Sequence, residues 1–225
     1  MNFKMIGIKE RLHTVIKSIS SKVTLVAVSK TKPNSDILEA YNAGQRIFGE
    51  NKIQEMASKY ELLPKDIKWH MIGHLQSNKV KYMAHFVELI HGVDSFKTLK
   101  EINKQAKREN RVIDCLLQMH IAEEESKFGM TIQIVNDLLN STVYKNFEHV
   151  RIVGVMGMAT FTDDESQVKN EFKTLKSIFD NLKENYFSEI PSFKEISMGM
   201  SGDYKLAIEA GSTMVRIGSL LFGAR

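Results

Sequence analysis

The stretch VTLVAVSKTKPNSDILEAYNAG, residues 23–44, contains the pattern that decides the fold. Its first part, residues 23–29, is a continuous apolar run, which is typical of a strand buried on both faces of a parallel sheet. Pro33 and Asn34 break this run, and residues 35–43 follow with helical periodicity until Gly44 ends the segment. The sequence therefore predicts a strand followed by a helix.

The same strand-and-helix unit recurs along the rest of the chain. Apolar runs predict strands at residues 23–29, 46–49, 67–72, 86–90, 112–121, 152–156, 194–197 and 214–217. Amphipathic segments predict helices at residues 1–20, 35–43, 52–62, 75–84, 95–109, 131–139, 164–186 and 204–210. Strict alternation predicts a parallel sheet covered by helices. Eight units in 225 residues fit one (β/α)8 TIM barrel, a single domain over residues 1–225 with an extra N-terminal helix.

The alternative architecture is an open, doubly wound sheet. Such a sheet carries a Gly-rich turn after its first strand, whereas this chain has KTKP at residues 30–33. The barrel is therefore the preferred prediction. Its last strand is expected to have no helix after it, because the chain ends soon afterwards.

Composition excludes several classes of protein. With 43% hydrophobic residues, 26% charged residues and a net charge of +4, the chain is typical of globular proteins. The single cysteine, Cys115, excludes an internal disulfide and is expected to be a buried thiol. We find no secretion signal and no apolar stretch of membrane-spanning length, so we expect a cytoplasmic protein. The basic stretches 79–81 and 104–111 lack interleaved aromatic residues, so no nucleic-acid partner is expected.

The chemistry of a βα barrel takes place at the C-terminal ends of its strands. Lys30 follows the first predicted strand, where partial burial would lower the pKa of its amine and favour condensation with a carbonyl group. Considered alone, its position favours a structural lysine that is paired or solvated at the end of a strand.

Glycines and hydroxyl groups follow the last two strands, where barrels commonly bind phosphate. Gly199, Met200 and Ser201 follow strand seven, and Gly218 and Ser219 follow strand eight. Arg216, two residues before Gly218, faces the same side of its strand and adds a cation. A lysine, a phosphate cradle and an inward arginine together predict a pyridoxal 5'-phosphate (PLP) site with a Schiff base on Lys30.

Five motifs in order resemble the pyridoxal phosphate homeostasis protein family, whose barrel is similar to the N-terminal domain of alanine racemase. They are VAVSKTKP (26–33), FGEN (48–51), WHMIGHLQSNK (69–79), MGMSGD (198–203) and GSTMVRIGSLLFG (211–223). The resemblance extends from about residue 23 to residue 225. His74 stands where the family often has proline, and the chain ends sooner than many relatives do.

The resemblance implies a role for each candidate site residue. Lys30 would be the Schiff-base lysine, Asn51 would line the cofactor, and Arg216 would face the pyridine nitrogen. Ser201, Gly218 and Ser219 would hold the phosphate. We further expect His70 and Met200 to line the pocket, and Lys127 is a candidate for a secondary phosphate contact.

Two functions from different classes follow from this site. The first is a non-enzymatic protein of PLP homeostasis, a monomer that buffers the cofactor and delivers it to apo forms of PLP-dependent enzymes. The second is an amino-acid racemase, which needs a second acid–base group opposite the lysine. His70, His120 and Tyr204 are the residues that could supply this group, but nothing in the sequence places them there. The homeostasis function is preferred.

Overall fold

In the computed structural model, which describes residues 7–123 and 128–223, eight parallel strands form a closed barrel in chain order. The strands are β1 (Thr24–Val28), β2 (Ile47–Glu50), β3 (Lys68–Met71), β4 (Leu89–Val93), β5 (Ile113–Gln118), β6 (Val150–Met156), β7 (Glu195–Ser197) and β8 (Met214–Ile217). Pairing of β1 with both β2 and β8 closes the ring. The predicted TIM barrel is confirmed.

Helices cover the outside of the barrel. They are α1 (Ile8–Ser18), α2 (Asn34–Asn42), α3 (Ile53–Leu62), α4 (Phe96–Arg108), α5 (Ile132–Asn140), α6 (Thr142–Lys145), α7 (Glu165–Tyr186), α8 (Tyr204–Glu209) and α9 (Ser219–Phe222). A 3-10 helix, Ser77–Tyr82, connects β3 to β4. Within the described ranges, none of the helices is both long enough and apolar enough to cross a bilayer.

Two apolar layers result from the alternation of side chains along each strand. The larger layer fills the space between the strands and the helices, and the smaller one fills the barrel interior. The interior layer contains Val26, Leu89, Leu116, Val153, Met156 and Met214. The neighbouring Trp69 and Met71 belong to the outer layer, so His70 between them faces the interior. The barrel thus buries polar side chains at its centre.

The structure differs from the sequence prediction in several elements, among them the one-turn helix α6 (Thr142–Lys145), which the sequence analysis did not predict. Strand β4 is Leu89–Val93 rather than 86–90, because Phe86 and Val87 end the preceding turn with hydrogen bonds to Met83. The segment predicted as a helix at 75–84 is the short 3-10 helix. Strand β8 is followed by a helix after all, the one-turn α9. Cys115 is buried as expected, and burial raises the pKa of its thiol.

Replacing Gly154 with alanine should destabilise the barrel by about 1–3 kcal/mol, the usual cost of overpacking. A Cβ added to Gly154 in β6 would overlap the carbonyl oxygen of Glu195 in the neighbouring strand. Urea denaturation measures the change. Gly202→Ala is the matched control, since a Cβ there meets no atom within 4 Å. Equal free energies of unfolding for both variants would contradict the prediction.

Candidate functional site

A cavity of about 460 Å³ opens at the C-terminal ends of the strands. This volume lies in the usual range of small-molecule sites, roughly 300–1,000 Å³. The cavity, here called the mouth cavity, brings together most of the site residues that the sequence predicts. They are Lys30, Asn51, Met200, Ser201, Arg216, Gly218 and Ser219.

His70 is the predicted site residue that the structure places elsewhere. Ile72, two residues further along the chain, reaches the mouth cavity, while His70 lies deeper in the barrel interior. There its Nδ1 atom is 3.0 Å from Nε2 of His91. His70 also lines a second cavity at the N-terminal ends of the strands. The sequence analysis expects His70 to line the cofactor pocket, whereas in the structure His70 is not among the residues that line the mouth cavity.

A buried ionic cluster holds the backbone on both sides of Lys30. The ammonium of Lys59 donates hydrogen bonds to the Ser29 carbonyl oxygen (2.8 Å), to Oε1 of Glu50 (2.8 Å) and to Oε1 of Glu55 (2.7 Å). Oε1 of Glu55 also accepts the backbone N–H of Thr31 at 2.6 Å. The residues before and after Lys30 are thus tied to α3, which fixes the position from which the Lys30 side chain enters the cavity.

Sequence reasoning missed Lys59, although a signal was present. Ile53, Met56 and Lys59 share the buried face of α3, so a lysine occupies a position that the helical period assigns to the core. A lysine at such a position is buried only when it is paired. Burial raises the pKa of Glu50, and hydrogen bonds from Lys59 and Ser29 oppose that rise.

Arg216 places a buried positive charge at the floor of the cavity. Its guanidinium donates to the Ser197 carbonyl (2.9 Å), to Ser197 Oγ (2.7 Å) and to the Gly157 carbonyl (3.2 Å). Each of these acceptors is neutral. Burial lowers the pKa of Arg216 to about 10, and the charge of Asp203 opposes the shift. Arg216 therefore remains charged at neutral pH and can attract an electron-rich ligand atom.

The loops after β7 and β8 meet in the wall of the cavity. The backbone N–H of Gly218 donates to Oγ of Ser201 at 3.3 Å, which joins the two loops. A Cβ at Gly218 would approach the Cβ and carbonyl oxygen of Val28 to 3.3 Å, so glycine permits the close approach to β1. Because α9 begins at Ser219, backbone N–H groups of its first turn add to the hydroxyls there. This set of donors suits a phosphate group.

The loop after β6 supplies cavity residues that the sequence analysis did not identify. Thr160 and the 95% exposed Phe161 belong to it. Buried Glu171 of α7 holds this loop by accepting the Thr160 N–H (2.6 Å) and hydroxyl (2.7 Å). An acid on the apolar face of α7, beside Val168 and Phe172, is the signal that could have revealed the contact.

Other candidate residues lie away from the mouth cavity. The hydroxyl of Tyr204 is 3.0 Å from Oγ of Ser18 in α1, and His120 is not among the described residues that line the cavity. His74 is 2.8 Å from Asp94 and its ring stacks on Phe128. Lys127 lies outside the described residues. Within residues 7–123 and 128–223, no group of three or more His, Cys, Asp or Glu is placed to hold a metal ion.

Comparison with known proteins assigns the chain to a family. The family model described as alanine racemase, N-terminal domain, matches residues 7–225. The chain belongs to this family. Within it, the curated relatives are named pyridoxal phosphate homeostasis protein, and the chain is one of their group. The relative from Aquifex aeolicus is 40% identical, with 89% of this chain and 86% of that protein covered. The relative from Vibrio alginolyticus is 41% identical, with 90% and 87% covered.

Solved structures of the family have the same fold. PipY of Synechococcus elongatus without PLP gives a TM-score of 0.88 at 33% identity, covering 96% of this chain and all of that one. PipY with PLP bound gives 0.85 at 32% identity over the same shares. Alanine racemase from Bartonella henselae gives 0.73 at 18% identity and matches over 60% of its own length, which shows the fold alone.

Replacing Lys59 with methionine should destabilise the protein by about 3–5 kcal/mol, because the buried Glu50 carboxylate loses its cation. Thermal and urea denaturation measure the change. Lys169→Met on α7 is the matched control, since its exposed pair with Glu165 is worth less than about 1 kcal/mol. A Lys59→Met variant as stable as the control would contradict a structural role for this cluster.

Acid should destabilise the protein through its two interior histidines. Burial lowers the pKa of His70 to about 3 and that of His91 well below its ordinary value of 6.5. The unfolded chain therefore binds more protons below pH 6.5, and stability falls as the pH drops from about 6.5 towards 4. The expected slope is about 1.4 kcal/mol per pH unit for each histidine.

Urea denaturation at a series of pH values measures this slope. The double variant His70→Gln, His91→Gln should lose the contribution of both histidines to it. The control His13→Gln, on the exposed side of α1, should keep the wild-type slope. A double variant with the wild-type slope would show that the two buried histidines do not cause the acid sensitivity.

Proposed function

We propose that this protein binds PLP in the mouth cavity, as a Schiff base on Lys30, and serves in PLP homeostasis. It would buffer the cofactor and deliver it to apo forms of PLP-dependent enzymes, as a monomeric, single-domain protein of the cytoplasm without strong catalytic activity. The observation that carries the proposal is one cavity lined by Lys30, by the buried cation Arg216 and by the Ser201–Gly218–Ser219 donors. The names of the curated relatives and the PLP-bound structure of PipY support it.

The residues of the cavity fit each functional group of PLP. Lys30 offers an amine that condenses with the aldehyde and releases water. The hydroxyls of Ser201 and Ser219, with N–H groups of the last loop, offer donors for the phosphate. Arg216 offers a charged donor for the ring nitrogen, and no acid hydrogen-bonds to it among the described residues.

The state of Arg216 suits a cofactor that is carried, or one that is used only for chemistry with a low demand for electron withdrawal. With a pKa of about 10, the guanidinium keeps its proton at neutral pH and donates a hydrogen bond without transferring the proton. A ring nitrogen that stays unprotonated makes PLP a weaker electron sink. Bound PLP would supply electron withdrawal, and an unprotonated ring nitrogen beside Arg216 would limit that withdrawal. The Lys59 cluster meanwhile keeps the backbone beside Lys30 in place.

The racemase alternative needs a proton-transfer group across the cavity from Lys30. Of the candidates, His70 is buried below the cavity, Tyr204 bonds to Ser18, and His120 is not part of the cavity wall among the described residues. The similarity to the solved alanine racemase structure, at 18% identity, shows the fold alone. The geometry therefore favours the homeostasis function.

Delivery of PLP to an apoenzyme tests this function. The protein is loaded with PLP, freed of excess cofactor and mixed with the apo form of a PLP-dependent enzyme, whose activity should return. The loaded protein should not racemise amino acids faster than its Lys30→Ala variant does. Racemisation at enzyme-like rates that is lost in Lys30→Ala would contradict the proposal and favour the racemase.

Ser201→Ala should raise the Kd for PLP about tenfold or more, because one hydrogen bond to a charged group contributes roughly 1.5–3 kcal/mol. Absorbance titration with PLP measures the affinity. Ser58→Ala is the matched control, since Ser58 lies on the exposed side of α3 and bonds to the Gln54 carbonyl. An unchanged Kd for Ser201→Ala would place the phosphate elsewhere.

A further inference from the structure

A chain of buried polar side chains crosses the barrel interior below the mouth cavity. From Arg216 in β8 it runs to Ser197 in β7 (2.7 Å), to Nδ1 of His91 in β4 (2.9 Å), and from Nε2 of His91 to Nδ1 of His70 in β3 (3.0 Å). Each of the four residues is at most 4% exposed. The chain therefore links two adjacent strands on one side of the barrel to two on the other.

Among the hydrogen bonds of this network, only one direction gives the Ser197 hydroxyl proton an acceptor. A guanidinium only donates hydrogen bonds, so Oγ of Ser197 accepts one from Arg216. The Ser197 hydroxyl in turn donates a hydrogen bond to Nδ1 of His91. A neutral His91 with Nδ1 as acceptor carries its proton on Nε2, which donates to Nδ1 of His70. The tautomers of both histidines are thus assigned from the hydrogen-bond network. Arg216 is the donor of the first hydrogen bond, and its direction sets the direction of the two that follow.

Neutral histidines are required for this order. A protonated His91 would point a second donor at Ser197, and the hydroxyl proton of Ser197 would lose its acceptor. Burial keeps the pKa of both histidines low, and the charge of Arg216 lowers that of His91 further. The lowered pKa values are therefore consistent with the neutral histidines that the hydrogen bonds require.

This series of hydrogen-bonded side chains orients Arg216 without neutralising its charge. A buried arginine is usually fixed by a carboxylate, which would cancel much of the charge that faces the cavity. Here the acceptors are a hydroxyl and two carbonyls, and the hydroxyl is itself aligned by an imidazole. An apolar residue in place of His91 would fill the interior as Leu89 does, but it would leave the Ser197 hydroxyl without its acceptor.

We propose that His91 is a positioning residue for Arg216. It aligns Ser197 so that the guanidinium is held at the cavity floor with its charge directed towards the bound ring. This inference rests on the proposed function, since Arg216 has a ligand to meet only if the mouth cavity binds PLP. His70 completes the alignment because its Nδ1 accepts the hydrogen bond that the Nε2–H group of His91 donates.

The test compares His91→Phe with His91→Asn, whose side-chain oxygen can replace Nδ1 as an acceptor. For each variant, PLP titration gives the Kd, and the visible spectrum over a pH series reports the surroundings of the ring. We expect His91→Phe to raise the Kd about tenfold and to shift the absorption maximum or its pH midpoint. His91→Asn should stay within about threefold of wild type. The matched control His120→Phe should leave the affinity and the spectrum unchanged.

Ser197→Ala keeps the test decisive if His91→Phe fails to fold. This small change removes the hydroxyl next to Arg216 and should reproduce the tenfold loss and the spectral shift. Where His91→Phe folds, the double variant His91→Phe, Ser197→Ala should bind PLP no more weakly than Ser197→Ala alone. Both substitutions interrupt the same series of hydrogen bonds to Arg216. Loss of thermal stability with unchanged Kd and spectrum in Ser197→Ala, or in a folded His91→Phe, would overturn the proposal.

Failure of the inference is distinguishable from failure of the proposed function. If wild-type protein binds PLP on Lys30 and folded His91→Phe or Ser197→Ala behaves identically, the proposed function stands and the positioning role is overturned. If wild-type protein itself binds no PLP, the proposed function fails, and the positioning role fails with it.

Discussion

The positive charge of Arg216 lies inside a closed barrel, and the neighbouring oxygens that accept its hydrogen bonds are all neutral. A buried charge costs free energy unless it is hydrogen-bonded, so the interior must supply acceptors. Ser197 and the Gly157 carbonyl do so, and His91 and His70 extend the arrangement across the barrel. The polar centre of this barrel is therefore organised around one guanidinium, which lies at the floor of the mouth cavity.

The loops around that charge are fixed by two buried ionic groups on the helices. Lys59 of α3 holds the backbone beside Lys30, and Glu171 of α7 holds the loop after β6 at Thr160. Each takes a position on the apolar face of its helix, where it accepts or donates several hydrogen bonds at once. A cavity built in this way is largely formed before a ligand arrives, which reduces the entropy that binding must overcome.

Much of this architecture is predictable from the sequence, because apolar runs and amphipathic segments alternate strictly. Lys30, Ser201 and Gly218 are predictable as mouth residues because each lies within four residues of the end of a strand, and the ends of the strands meet at one rim. The depth of His70 was not predictable in the same way, since the period of two gives the side a residue faces but not its layer along the barrel axis. The start of β4 was misplaced because Phe86 is apolar for another reason, its stacking on Tyr60 at 4.1 Å. Of the partners of Lys59, Glu55 lies one helical turn away on α3, but Ser29 and Glu50 belong to other elements and meet Lys59 only in the folded chain, so the sequence alone did not show the cluster.

The most direct test of the central claim is the visible absorbance of PLP-treated protein before and after borohydride, followed by peptide mapping. A Schiff base on Lys30 should give an imine band that borohydride bleaches, with the reduced label on Lys30 and no such label in Lys30→Ala. Absence of the band after incubation with excess PLP, or full labelling of a different lysine such as Lys32, would contradict the assignment of the mouth cavity as a PLP site built on Lys30.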